Sequence, residues 1–489
     1  MQTRRGLDPR WLSLTVTTIG SFMSILDSTI VNIALPSILK DFKSDLSNGQ
    51  LVLTVYLLSL AVVIPVSGFL GERLGMKRLY MLTLVGFTAS SAMCGLAWNL
   101  PSLIGFRAVQ GLAGGMLQPL GMAIVFTMIT PLERGRFMAL LGLPMLVAPI
   151  LGPTLGGYLV EYASWRMIFL VNLPIGLINL VLAHFLLKET PVRDEARLDF
   201  RGFALAAVAF PGILLGLSEA SEFGWDSPLI IALLTAGVVA LGAFILAELR
   251  HDDPLLQVRL FANPMFSLAM TLNFILQFSL FGIQYLLPLF LQRAHHLGAA
   301  ETGLLLFPSG ILSFISMNLG GHAYNRLGPR PLALSGLAVL FVATLALSRV
   351  NQDTGLVTIG ALASLRGVAM GLCMMPVQTT AYNTVPQHLM ARATALTNVL
   401  FRVFGSASTA ILTTILIFSL HQHGAPAGSS ITSGNTPVDF LSRAFADGFL
   451  AMAVLTVVGM LLALFLQDAA LKALKVETVD GAATVEAVA

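Results

Sequence analysis

Asp27 is a carboxylate set deep inside an otherwise apolar run, some 16 residues after Trp11. Placing it in a bilayer costs on the order of 2.5–3.5 kcal/mol by insertion scales, so an unpaired Asp27 should bind protons near neutral pH, the property a proton carrier requires. The alternative is a structural Asp27, hydrogen-bonded to Asn32 or a neighbouring Ser or Thr merely to join helices. The other 24 of the 25 acidic residues fall in loops or near the ends of apolar runs. Three arginines, Arg107, Arg366 and Arg402, also lie inside such runs, where a permanently charged guanidinium demands acceptors or water. Arg107 is the expected partner that modulates Asp27. Arg366 and Arg402 stand beside glycines (Gly367, Gly371 and Gly405), with Asn398 one turn before Arg402. The later runs offer no acid to pair them, so helix carbonyls or water are the expected acceptors.

Other chemistries lack the residues they need. None of the six lysines follows a glycine, so no phosphate-binding G-K-[ST] exists and an ATP-driven pump in this chain is excluded. Cys94 and Cys373 sit in apolar stretches and are packing residues, with no disulfide framework or zinc site available. The eight histidines include the loop pairs His295/His296 and His421/His423, and none joins a deep carboxylate other than Asp27, so a membrane-embedded enzyme is not expected. A net charge of +3 with no concentrated Lys and Arg sets nucleic acid aside.

The elements that must position these groups follow from composition. Of 489 residues, 56% are hydrophobic and 11% charged, against about 45–50% and about 25% for soluble proteins; the apolar surplus must face lipid. Runs long enough to cross a bilayer, roughly 20 apolar residues, number fourteen: 11–35, 49–69, 79–99, 102–128, 137–160, 166–187, 202–219, 228–248, 265–291, 301–323, 331–348, 355–384, 393–420 and 446–466. The first follows Arg4 and Arg5 but lacks a cleavage signal, so it is expected to remain as a helix. With both termini inside, 19 of the 28 basic residues fall in inner segments and six in outer ones, which supports cytoplasmic termini in an inner, cell membrane. The fold class is therefore an all-α integral membrane protein.

An internal repeat divides the chain. Gly68-Phe-Leu-Gly-Glu72-Arg73-Leu74-Gly75-Met-Lys77 is matched by Gly321-His-Ala-Tyr-Asn325-Arg326-Leu327-Gly328-Pro-Arg330 at an offset of 253 residues (321 − 68, 326 − 73, 328 − 75). Two six-helix pseudo-repeats, 11–187 and 261–466, are then separated by a linker, 188–260, carrying two inserted helices, and followed by a tail, 467–489. Two related halves around a central cavity suit alternating access. In the first loop, Gly75 allows a tight turn, Glu72 can cap a helix N-terminus and Arg73 can pair across an inner gate. The fifth run is crowded with Pro149, Gly152, Pro153, Gly156 and Gly157, which predicts a bent, tightly packed helix able to seal one side.

Five motifs together resemble the major facilitator superfamily in its fourteen-helix drug:proton antiporter branch. They are the loop Gly68 to Arg78, with Glu72 where Asp is usual and Met76 where a basic residue is common; Leu26-Asp27 through Asn32, Ala34 and Pro36; Arg107-Ala-Val-Gln110-Gly111; Ala148-Pro149 through Gly157; and Trp165-Arg166 through Phe169, Asn172, Pro174 and Gly176. The resemblance covers residues 11–466. It implies proton-coupled multidrug efflux with no cofactor, assigns the Arg107 position to proton transfer, and makes Gly68, Glu72, Arg73, Gly75, Lys77 and Arg326 gating residues. Several such proteins act with a periplasmic adaptor and an outer-membrane channel.

Thirty Phe and twenty Met suit a soft cavity. With Asp27 the one deep acid, lipophilic neutral or monocationic compounds are the expected substrates. Asn32, Tyr56, Gln118, Asn273, Gln277, Gln284, Gln378, Tyr382, Asn398 and Arg402 are the candidate contacts, with Asn383 beside them. An exporter of a lipid, peptide or metabolite would have the same sequence features.

Overall fold

Inside a bilayer every backbone amide and carbonyl must be satisfied within its own segment, which leaves helices as the spanning element for a chain of this pattern. The helix starts carry side-chain caps where the sequence provides them: Asp8 accepts from the backbone of Arg10 ahead of Pro9, Asn99 and Ser102 form a capping box, and Asn263 caps the helix that begins at Pro264. A computed structural model describes residues 8–44, 46–190, 192, 199–424 and 437–467, and among them the chain forms helices with no strand. The helices are α1 (Pro9–Phe42), α2 (Leu46–Leu74), α3 (Met76–Gly95), α4 (Leu100–Met128), α5 (Pro131–Leu141), α6 (Leu143–Tyr162), α7 (Met167–Leu170), α8 (Asn172–Leu186), α9 (Phe200–Phe223), α10 (Pro228–Arg250), α11 (Pro264–Ala294), α12 (Ala299–Leu327), α13 (Pro329–Leu347), α14 (Leu356–Asn383), α15 (Met390–Gln422) and α16 (Val438–Ala463). The expected tail, 467–489, lies outside the described residues apart from Gln467, as does most of the connector before α16.

Among the described residues twelve spans are long and apolar enough to cross a membrane, where fourteen are expected; one of them, Met167–Leu186, joins α7 and α8. The two expected spans outside that set are 79–99 and 137–160. The first corresponds to α3, which opens on Lys77 and Arg78 and carries Thr83, Thr88, Ser90 and Ser91. The second falls on α5 and the 20-residue α6, which part at Gly142 and have several side chains outside the described residues. The chain is thus a multi-pass, all-helical membrane protein.

The helices gather into two compact units. The first takes residues up to Ile129, Leu140–Arg259 and Gln387–Val403; the second takes Thr130–Ala139, Leu260–Pro386 and residues from Phe404 onward. The inserted helices α9 and α10 pack on one another and belong to the first unit, where α9 also meets α2. The same packing pattern recurs in both units: α2 and α3 each lie on α4, and α12 and α13 each lie on α14. The repeated loop is reproduced in its backbone. Gly75 between α2 and α3 has φ 88°, and Gly328 between α12 and α13 has φ 84°. Both angles fall where glycine is favoured, 253 positions apart (328 − 75).

Close helix approach in the first unit depends on Gly111. A Cβ there would lie 2.5 Å from the Tyr56 carbonyl oxygen, on the backbone of α2, and 2.7 Å from Ser59 Cβ on the same helix. Gly111→Ala should therefore cost about 1–3 kcal/mol, measurable as a lower Tm. Gly105→Ala on the same helix has nothing within 4 Å of the new methyl and should show no loss.

Candidate functional site

The first unit encloses a charged cluster. Asp27 from α1 and Arg107 from α4 are both 0% exposed, with Arg107 Nη1 2.6 Å from Asp27 Oδ2. Gln110, one turn along α4, accepts from Arg107 Nη1 at 2.8 Å and donates through Nε2 to Asp27 Oδ1 at 2.9 Å. Asn172, the first residue of α8, donates to Asp27 Oδ1 at 3.0 Å and to Ser91 Oγ at 3.1 Å. Arg107 also donates through Nε to the Val52 carbonyl, and its guanidinium lies 3.8 Å from the centre of the Tyr56 ring. The Tyr56 hydroxyl donates back to Ser24 of α1. Five helices therefore converge on one carboxylate.

Asp27 is not unpaired: Arg107, the partner expected for it, is one of three donors that engage the carboxylate. Its amide partners are Gln110 and Asn172. Asn32 is exposed, its amide directed to the Ser28 carbonyl. Two polar atoms in the cluster lack partners among the described residues, Arg107 Nη2 and Asn172 Oδ1. Two further acids are buried, and both lie at helix ends: Asp199 caps α9, and Glu248, in the last turn of α10, accepts from the Leu256 amide.

A second charged cluster surrounds Arg392 at the start of α15. Arg392 donates through Nε and Nη2 to the two oxygens of Glu72, at 3.0 and 2.6 Å. Nη2 lies 2.8 Å from Asp253 Oδ1, and Nη1 donates to the Pro254 carbonyl at 2.8 Å. Glu72 is thus a partner of Arg392 rather than a helix cap, and Arg73, expected to make the pairing, is exposed. Gly68 supports the arrangement: a Cβ there would come within 2.9–3.0 Å of the backbone of Ala391 and Arg392. Lys77 donates to the His184 carbonyl, while Arg326, in the second copy of the loop, is exposed. In each unit a borrowed segment is tied to a helix end: Gln387 donates to the Thr127 carbonyl in the first, and Arg134 to the Tyr382 carbonyl and Asn383 Oδ1 in the second.

On α6, Gly152 and Gly156 lie against Thr29 and Ile30 of α1, and Gly157 has open space beside it. The side chains of Pro149 and Pro153 lie outside the described set. Of the remaining candidate contacts, Tyr56 and Asn398 are buried in the first unit, and Gln118 and Arg402 are half-buried there. Asn398 donates to the Thr394 carbonyl, and Arg402 lies near enough to Tyr56 to act on its phenol electrostatically. In the second unit Asn273, Gln277, Gln378 and Tyr382 are buried and Gln284 is exposed. Among the described residues no group of His, Cys, Asp and Glu is placed to hold a metal ion.

Comparison with known proteins shows the family. Residues 17–410 match the profile of the Major Facilitator Superfamily. An uncharacterized MFS-type transporter of Bacillus subtilis, YhcA, is 37% identical over 396 residues, covering 81% of this chain and 74% of its own. The multidrug resistance protein B homolog of Mycobacterium tuberculosis is 32% identical, with 92% and 89% covered. The lincomycin resistance protein LmrB of Listeria monocytogenes is 29% identical, with 92% and 95% covered. Among solved structures, the human organic anion transporter MFSD10 shares the fold, with a TM-score of 0.63 and 18% identity over 93% of this chain and 100% of that one.

Proposed function

Because the chain belongs to the major facilitator superfamily, we propose that it is a proton-coupled antiporter exporting lipophilic compounds across the cell membrane by alternating access. Its spans would form two six-helix repeats with an inserted pair, fourteen in all, and both termini would face the cytoplasm. The resistance-protein relatives support the cargo class. The buried Asp27–Arg107 pair supports the coupling and is the observation that carries the reading.

The pair can exchange a proton because each partner has somewhere to go. A proton on Asp27 neutralises the carboxylate and removes the ionic hold on Arg107. The guanidinium then keeps the Gln110 amide oxygen, the Val52 carbonyl and the Tyr56 ring as neutral acceptors. Tyr56 and Arg107 join α1, α2 and α4, so a change in the pair is felt across the helices that pack around it. Proton release restores the pair and resets the cycle. The Arg392 cluster would close the inner side during the outward-facing phase, holding it by two carboxylates and a carbonyl.

The cargo requires no acid beyond Asp27 if it is neutral or singly cationic. A periplasmic adaptor and an outer-membrane channel would be partners wherever a second membrane must be crossed. In inverted membrane vesicles containing the protein, a lipophilic dye should accumulate only while a proton gradient is maintained. Dye accumulation that survives collapse of the gradient by a protonophore would overturn the coupling.

A further inference from the structure

The second unit contains a site built on the same plan as the Asp27–Arg107 cluster but without its carboxylate. Arg366 on α14 is 3% exposed. It donates through Nε to Thr344 Oγ1 of α13 at 3.3 Å, and through Nη2 to both the carbonyl and the hydroxyl oxygen of Ser279 on α11. The helices α14, α13 and α11 are the counterparts of α4, α3 and α1. Thr344 stands 253 positions after Ser91 (344 − 91), Ser279 stands 252 after Asp27 (279 − 27), and Arg366 stands 259 after Arg107 (366 − 107). Thr344 thus falls at the repeat offset of 253, Ser279 one position short of it and Arg366 six beyond; on the corresponding helices an arginine again reaches across, and its partner on the first of them is a serine instead of an acid.

Three features follow for charge and hydrogen bonding. The hydrogen bonds that Arg366 makes among the described residues go to neutral oxygens, and the Cys373 thiol is the one titratable group close enough to act on it. Both hydroxyls accept from Arg366, and among the described residues neither Ser279 nor Thr344 donates its own proton, unlike the helix threonines that donate to a carbonyl one turn back, such as Thr413 and Thr456. Arg366 Nη1 is likewise without an acceptor there. A buried guanidinium with a free N–H and two free O–H groups is a donor set that lacks an anion, and a desolvated cation without a counter-charge is costly.

We propose that Arg366, Ser279 and Thr344 form a binding site for a single monoanion, a halide or the carboxylate of an organic compound. The ion would complete the charge pair that Asp27 completes in the first unit. This site stands apart from the coupling role assigned to Asp27, and it can be tested without any transport assay.

The test is thermal unfolding of the purified protein in detergent at fixed ionic strength, with chloride or formate replacing the bulky HEPES anion. The wild type should show a saturable rise in Tm of about 2 °C or more as the small anion is added. Ser279→Asp supplies the carboxylate internally, so its Tm should start at or above the saturated wild-type value and stay flat. Arg366→Gln should also be flat, and if it fails to fold, Ser279→Asp still decides. Stabilisation by chloride alone identifies an inorganic ion, whereas stabilisation by formate with competition from benzoate identifies the acid group of an organic ligand. A wild-type rise that does not saturate and is equalled in Ser279→Asp would overturn the site.

Discussion

Asp27→Asn should abolish proton-driven export while leaving a protein that still binds cargo. The substitution does two things at once. It removes the titratable oxygen, and it places an amide donor among Arg107 Nη1, Gln110 Nε2 and Asn172 Nδ2, which are themselves donors to the native carboxylate. Breaking a buried pair by deleting one partner costs about 3–5 kcal/mol, because the remaining charge is left uncompensated. A fall in both Tm and export is therefore expected from the single variant. The double variant Asp27→Asn/Arg107→Gln separates the two effects. With both charges gone the cluster becomes a neutral amide network, so stability should recover substantially while gradient-dependent export remains absent. Recovery of export in the double variant would mean that the pair serves folding alone.

The second large effect is expected from Arg392→Ala. That change leaves Glu72 and Asp253 facing one another without their shared cation and strips the Pro254 carbonyl of its donor. The loss should again be about 3–5 kcal/mol where the group is most buried. Transport should fall far more than cargo binding, which ligand-induced quenching of intrinsic fluorescence would follow. Arg392→Lys should recover only part of the function, because an ammonium cannot make the two-pronged contact that the guanidinium makes with Glu72. Arg73→Ala should be close to wild type in both assays, since Arg73 is exposed. Equal losses from Arg73→Ala and Arg392→Ala would contradict the assignment of the latch to Arg392.

The contrast between Arg73 and Arg392 marks where the sequence was informative and where it was not. Asp27 and Arg107 stood out because ionised groups within apolar runs are rare, and each had to find a partner. Gln110 and Asn172 carried no such signal: neutral amides are common in helices, and Asn172 meets Asp27 only because α8 returns beside α1, 145 positions later. Arg392 resembled any basic residue near an inner helix end, and its partner lies 320 positions away in the chain. The loop repeat was legible down to its backbone, because Gly75 and Gly328 are needed for the same positive φ. The bounds of the helices were less so. Hydropathy alone does not register the break at Gly142, nor that the helix after the first loop begins with Lys77 and Arg78. Ser279 was missed for a related reason: a serine in a span is unremarkable until the helix opposite supplies an arginine.

Coupling through Asp27 is tested most directly by proton movement in proteoliposomes. The protein is reconstituted with a pH-sensitive dye inside, and a lipophilic cargo is added without an imposed gradient. Wild-type vesicles should show a cargo-dependent pH change that is absent in Asp27→Asn vesicles containing the same amount of folded protein. An equal pH change in both would contradict the account.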